Sequence, residues 1–414
     1  MIDRLVICLP FADEFVVAND DFSEGILDPK ILLDTELTVA GRNIVKDQFG
    51  KIGVDELFHP YERIPSWASG MAVKVFHRPT KTFPYVEIKA SPAKLLQGHN
   101  VYGTTNFELC LLEMLSLLAI SLPKLWNMLD QEHSFISSLD VTYSIKADTQ
   151  QIADQFIAFA SSLSGGQTKS GEVYPTTAYF GKKTSKHKRL KIYLKYYEVL
   201  ENLKKLKKEN ANNRNDEAIK INSDQDLINY CKGLIRCEAT IKKRFLMNRG
   251  IPTNIVKLKK YIEKYNQEHD ISFIQALHEQ AFKDIYKLFK GGKLMNYDDE
   301  SILKQLKNTH IKINKRGKAD HSLALRAFRF YRSIAAESFK EVKETTPAST
   351  FYRNLSLLKD ANIPLAHLQN LHKVKSNVVP LIQLVKMDYS DQAPSNYKEP
   401  ELSVSKVSQL RAVC

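Results

Sequence analysis

Four stretches of the chain alternate apolar and polar residues with period 2, the pattern of strands that bury one face. In 85–89, Val86 and Ile88 oppose Glu87 and Lys89. In 138–145, Leu139 and Val141 oppose Asp140 and Thr142. In 190–197, Leu190, Ile192 and Leu194 oppose Lys191, Tyr193 and Lys195, with Tyr197 on the polar side. In 234–242, Ile235, Cys237, Ala239 and Ile241 oppose Arg236, Glu238, Thr240 and Lys242. A shorter strand over 176–180 precedes the third in hairpin-like succession. The most apolar stretch, 109–125, is interrupted by Glu113 and Pro123 and predicts a buried helix ending near Leu122, with Asn106 as its N-cap. Its unbroken part is too short to span a bilayer. A helix is expected over 149–162, a Ser/Gly loop over 162–171, and a charged helix leading into a solvated insertion over 201–220.

These elements predict an α+β chain: a β-rich segment over 1–60, a domain with a central antiparallel sheet over 61–253, and a mainly helical domain over 254–414. If the four alternating strands share a sheet, their polar sides form one surface carrying Glu87, Asp140, Tyr193, Lys195 and Glu238. That set suits phosphoryl transfer. Carboxylates on strands hold Mg²⁺ or Mn²⁺ through oxygen. A tyrosine hydroxyl, with an ordinary pKa near 10, needs a metal or a neighbouring cation to become a nucleophile, and Lys195 on the same face can supply that or bind a phosphate. The same alternation also describes an ordinary solvated sheet face.

Charge narrows the class. The chain has 60 Lys+Arg against 47 Asp+Glu, a net +13. Residues 181–220 carry +8 and residues 301–335 another +8, leaving the rest slightly acidic. Two separated basic patches with no basic amphipathic helix beside an apolar anchor point to a long polyanion rather than a membrane. Five cysteines without a C-x-x-C spacing argue against a zinc ribbon or disulfide framework and fit a reducing cytoplasm. The opening Met-Ile-Asp-Arg is not that of a signal peptide. There is no P-loop, no His-x-His, no H-E-x-x-H and no G-x-S-x-G, so NTP-driven motors, zincins and α/β-hydrolases lack support.

Specific runs carry a resemblance. Val86-Glu87-Ile88-Lys89-Ala90-Ser91-Pro92-Ala93-Lys94 and Gln97-Gly98-His99-Asn100-Val101-Tyr102-Gly103-Thr104-Thr105 resemble the family of filamentous-phage replication initiators, the gene II proteins. So do Gly166 to Ser170, Tyr193-Leu194-Lys195 and Asn377-Val378-Val379-Pro380-Leu381, in the same order. A looser similarity is to plasmid rolling-circle initiators of the Rep-trans type, through Tyr179-Phe180-Gly181, Ser185, Arg189 to Glu198 and Arg236-Cys237-Glu238. The resemblance implies an enzyme that nicks one strand of duplex origin DNA, joins a tyrosine to the 5′ phosphate, leaves a 3′-OH for a host polymerase, and later rejoins the displaced strand. Tyr193 would be the nucleophile, with Tyr196 and Tyr197 as rivals and Lys195 beside it. Many such initiators use a His-x-His metal pair. An acidic site of Asp140 and Glu238, with Glu87 and Glu198 as further candidates, is the expected substitute for that pair in holding Mg²⁺ or Mn²⁺. His99 either contacts metal or phosphate or fixes its loop. Expected DNA contacts in this half are Lys169, Arg189, Arg236 and Lys242. Double- and single-stranded origin DNA, host helicase, polymerase and single-strand-binding protein, an oligomer on the origin and the host cytoplasm complete the expectation. The competing class is a non-enzymatic DNA-binding regulator or packaging protein.

In the second half, Arg326, Arg329 and Arg332 recur every third residue along one side of a helix, suited to phosphates. Ser338–Glu344, a Thr-Thr-Pro turn and a helix capped by Ser349 have the order of a helix-turn-helix, with Tyr352, Arg353 and Asn354 near the start of its second helix; ordinary paired helices read the same way. By the resemblance, Met295 is the start of a shorter, separately made DNA-binding product.

Overall fold

A computed structural model describes residues 1–19, 22–46, 52–79, 82–162, 164–165, 168–174, 176–210, 215–290, 299–313, 319–361, 363, 365–371 and 387–403. The strands that position the site are β1 (Ile2–Pro10), β2 (Glu62–Pro65), β3 (Gly70–Phe76), β4 (Tyr85–Ala90), β5 (Phe135–Lys146), β6 (Ser164–Gly165), β7 (Thr168–Tyr174), β8 (Thr177–Phe180), β9 (Lys188–Leu194) and β10 (Leu234–Lys242). They form one antiparallel sheet in the order β6-β7-β8-β9-β10-β5-β1-β4-β3-β2. All four alternating strands of the sequence are in it.

One face is apolar. Val86, Ile88, Leu139, Val141, Leu190, Ile192, Ile235, Ala239 and Ile241 are buried there. It packs against α1 (Phe107–Ser121), α2 (Gln150–Ser162), α4 (Ile255–Glu268) and α5 (Phe273–Lys290), whose buried residues join the same core. Asn106 caps α1, its side chain accepting from the Leu109 N–H at 3.0 Å. Glu113, the acid inside the apolar run, is buried and accepts from the Ser403 N–H at 2.9 Å.

The structure departs from the sequence reading in four places. First, β1 does not stay within a separate N-terminal segment; it lies between β4 and β5 in the middle of the sheet. Second, α4 and α5 begin after residue 253 but belong to the sheet's core, because their apolar stripes cover it. A second core starts later, in α6 (Asp299–Thr309), α7 (Ser322–Ala336), α8 (Phe339–Thr345), α9 (Ala348–Asp360) and α10 (Leu365–Asn370). Third, the strand expected over 190–197 ends at Leu194, where α3 (Lys195–Lys208) begins. The burial period changes there: Lys195, Val199 and Leu203 are buried four apart, the spacing of a helix face. Fourth, the second part of the expected solvated insertion folds back as a short helix over 216–222 with Ala218 and Asn222 buried, and the Asn222 side chain donates to the Gly98 carbonyl at 3.3 Å. Gly98, at φ +82°, makes this approach possible, since a Cβ there would stand 2.4 Å from Ile221.

After the second core the chain returns to the first. Met387 and Tyr389 pack into the sheet's core. The Gln392 side chain pairs with the Ser144 backbone, accepting from its N–H at 2.7 Å and donating to its carbonyl at 2.9 Å. Tyr397 lies edge-on to Tyr102 at 5.4 Å, and Glu399 accepts from the Thr104 hydroxyl.

Candidate active site on the polar sheet face

The opposite face of the sheet brings together most of the residues expected from the sequence. Tyr193 on β9 lies opposite Arg236 on β10, which lies opposite Ser144 on β5. One step along, Lys191 faces Glu238, which faces Thr142. One step further, Thr240 faces Asp140, and Asp140 faces Arg4 on β1. Tyr193, Glu238 and Asp140 therefore run as a diagonal across three neighbouring strands, at the spacing where long side chains meet, about 7–8 Å between positions.

The acids on this diagonal oppose each other's ionisation. Asp140 is buried, and burial together with the Glu238 charge raises it to about 7 although Arg4 pairs with its Oδ2 at 2.8 Å. Its Oδ1 is buried without a hydrogen-bond partner. Burial also raises Glu238, against the pull of Lys191, whose Nζ is 3.8 Å from it. Burial and the Glu238 charge push the Tyr193 hydroxyl well above its ordinary value of 10. Asp3, at the start of β1, adds its negative charge to all three groups. Sequence reasoning missed it; an acid beside Arg4 at the start of a strand apolar from Leu5 to Leu9 was the available signal.

The carboxylates on this diagonal are of the chemical type that a magnesium-like ion takes. Among the described residues no three His, Cys, Asp or Glu side chains are grouped as a metal cage. Mg²⁺, however, characteristically takes one or two carboxylates and completes its shell with water and substrate phosphate. The Asp140–Glu238 pair has carboxylates of that kind, each beside a cation, Arg4 on Asp140 and Lys191 on Glu238, and one Asp140 oxygen without a partner.

Lys195 is placed otherwise than expected. At the start of α3 it is fully buried, and its Nζ donates to Asn100 Oδ1 at 2.9 Å and to Glu198 Oε2 at 2.5 Å. Burial alone would raise Glu198, but the Lys195 ammonium holds it down to about 2. The cation over the tyrosine ring is Lys191, 3.7 Å from the Tyr193 centroid. Tyr197 is on α3, not on the sheet face, and its hydroxyl donates to Asp154 at 3.3 Å; Tyr196 packs beside it.

Arg236, expected to contact DNA, is 2% exposed. Its guanidinium donates to the Asn100 carbonyl at 2.5 Å and to the Val101 carbonyl, so it clamps the 98–105 loop over this end of the face. Asn100 ties the same loop to Asp3, donating at 2.7 Å. His99 is buried there and accepts from the Val101 N–H at 3.3 Å. Burial and the nearby Lys195 and Arg236 charges lower it to about 4, leaving a neutral ring that fixes the loop. Glu87 is remote from the diagonal: it lies opposite Cys8, four residues along β1 from the Arg4–Asp140 pair, about 13 Å.

Of the other basic candidates, Arg189 stacks over Tyr179 at 4.1 Å and Lys242 ends the polar row of β10. Lys169 falls on β7, where the side chains lie outside the described residues. On α7, Arg326 is half-buried, Arg329 and Arg332 lie toward solvent, and Arg332 sits 3.6 Å from Asp299. On α9, Tyr352 and Arg353 are exposed, but Asn354 is buried, and Pro347 rather than Ser349 stands at the N-cap position, with no side-chain capping hydrogen bond. Met295 and the 377–381 run lie outside the described residues.

Asp140 makes a pH-dependent prediction. It keeps its proton to about pH 7 when folded, against an ordinary value of 3.8. Between those values the folded state binds more protons, so the Asp140 contribution to stability falls as pH rises. Asp140→Asn, which cannot ionise, should gain on the wild type as pH rises from 4 to 7, by about 1 kcal/mol or more. Urea midpoints at both ends of that range check it; a constant difference would mean that Asp140 titrates normally.

The two halves of the chain match the two parts of one known kind of phage protein. Residues 1–268 match the family model for the N-terminal part of a phage replication-associated protein, and residues 313–403 the model for its C-terminal part. The chain belongs to this family, the replication-associated gene II proteins of filamentous phages. It is 36% identical to the replication-associated protein of Salmonella phage IKe over 97% of this chain and 96% of the relative. It is likewise 36% identical to the replication-associated protein of Enterobacteria phage M13 over 98% of this chain and 100% of the relative. No solved structure matches the chain. No described helix is long and apolar enough to cross a membrane.

Proposed function

We propose that this protein starts replication of a filamentous phage by nicking one strand of its double-stranded origin through Tyr193 and later rejoining the displaced single strand. The observation that carries the reading is the diagonal of Tyr193, Glu238 and Asp140 on one polar sheet face. Tyr193 Oη attacks the phosphorus of a phosphodiester, the bond to the 3′ oxygen breaks, that oxygen takes a proton from water to become the 3′-OH, and the tyrosine is joined to the 5′ phosphate. Glu238, on the neighbouring strand, takes the tyrosine proton through the carboxylate oxygen that would not hold an ion. Lys191 over the ring offsets the negative charge that develops on the phenolate. The phosphotyrosyl ester conserves the bond energy, so attack by a 3′-OH reverses the step without ATP, in keeping with the missing P-loop.

Asp140 and Glu238 are the residues that would hold Mg²⁺ or Mn²⁺. Such an ion, when bound, polarises the scissile phosphate and lowers the pKa of an oxygen nucleophile. Exposed lysines on α3 and arginines on α7 give the phosphate backbone two places to bind. Host helicase, polymerase and single-strand-binding protein, in the host cytoplasm, would then act on the nicked circle.

The experiment is to incubate the full chain with supercoiled DNA bearing its own phage origin and Mg²⁺. The expected product is a nicked circle carrying protein on its 5′ end, with the DNA-linked peptide containing Tyr193. Origin binding with no adduct under Mg²⁺ or Mn²⁺ would favour the non-enzymatic regulator instead.

A further inference from the structure

The polar face has a second end, open where the first is closed. Beyond Lys242 the diagonal gives way to aromatic rings. Phe76 on β3 and Tyr85 on β4 stack at 4.8 Å with planes 17° apart, and Phe135 on β5 follows at 6.3 Å from Tyr85. Tyr61, just before β2, is 60% exposed and donates to Glu87 at 3.2 Å. The Lys74 ammonium stands 4.6 Å over Tyr61 and 5.2 Å over Phe76, and Lys243 stands 3.9 Å over Phe135. The other three residues are half-buried. The register puts Phe135 nine residues along β5 from Ser144, which is in the Tyr193 row, about 30 Å.

We propose that this open end is a stacking platform for unpaired bases of single-stranded DNA, a reading that rests on the nicking function above. A base that stacks here displaces the ammonium from a ring face, and the long lysine side chain, still beside the ring, is then free to meet the phosphate next to that base. A duplex hides its base faces and gains nothing from the rings. The platform shares a face with Tyr193, so a strand opened at the nick continues along the sheet. Glu87 belongs here, holding Tyr61 beside the row of rings.

Binding of the full chain to a fluorescein-labelled 20-mer of thymidine in EDTA, followed by anisotropy, tests this. The absence of metal and of origin sequence separates the binding from nicking, whose failure appears only in the adduct assay. Tyr61→Ala and Phe76→Ala should each weaken binding about 5- to 100-fold, while Tyr61→Trp retains it and affinity for a 20-base-pair duplex stays within about twofold. Tyr61→Ala decides the matter if Phe76→Ala fails to fold, because Tyr61 is exposed. Unchanged affinity for the single strand, or an equal loss for single strand and duplex, overturns the proposal.

Discussion

Tyr193→Phe should abolish the covalent joint to origin DNA, lowering nicking by at least about 10⁴-fold, while leaving the fold intact. The ring is 3% exposed, and phenylalanine keeps its volume and its contact with Lys191. Only the hydroxyl is lost, and it is the atom that would attack phosphorus. Two neighbouring tyrosines make the result informative. Tyr196 and Tyr197 are on α3, turned off the sheet face by the helix, and the Tyr197 hydroxyl is engaged with Asp154. They should not substitute. Gel analysis of DNA-linked protein after exposure to supercoiled origin DNA reads the effect directly. An adduct formed by Tyr193→Phe at the wild-type rate would move the nucleophile elsewhere, and a parallel thermal melt excludes unfolding as the cause of a loss.

Arg236→Met should cost about 3–5 kcal/mol of stability. The guanidinium is buried and its donors end on the Asn100 and Val101 carbonyls. Methionine fills much of the space but leaves those carbonyls, and the nearby Asp3 and Glu198 charges, without their cation. The loop that Arg236 holds beside Tyr193 should loosen with it, so nicking falls as well. Urea unfolding separates this from a DNA contact. A variant with the wild-type unfolding midpoint and only weakened DNA binding would restore Arg236 to the interface.

The strands, and the face each buries, were legible because period-2 alternation survives any tertiary arrangement. It grouped Tyr193, Glu238 and Asp140 correctly on one side. What it could not carry was distance along the sheet. Glu87 has the same alternation as Asp140, yet the register separates them, and register is set by pairing across long sequence gaps. Lys195 illustrates a different gap: one residue past Leu194 the backbone turns helical, so a side chain counted on the strand face points into a buried pair with Glu198. Arg236 was misread because a polar residue on a strand's outer side is free only if nothing covers it, and the 98–105 loop does. Its burial depends on Asn100 and Asp3, far away in sequence. The α4 and α5 helices were visible as helices, but which core they cover is a tertiary fact.

The return of residues 387–403 to the sheet makes the second core a closed excursion of the chain rather than a tail. Both of its ends are fastened to one body, through α5 on the way out and through Met387, Gln392 and Glu399 on the way back. A module held by two tethers explores a smaller volume than one held by a single tether, and its effective concentration at the sheet is correspondingly higher. Duplex carried on α7 or α9 would thus be presented within a limited range of Tyr193, and the chain itself would act as a ruler between the place where DNA is gripped and the place where it is cut.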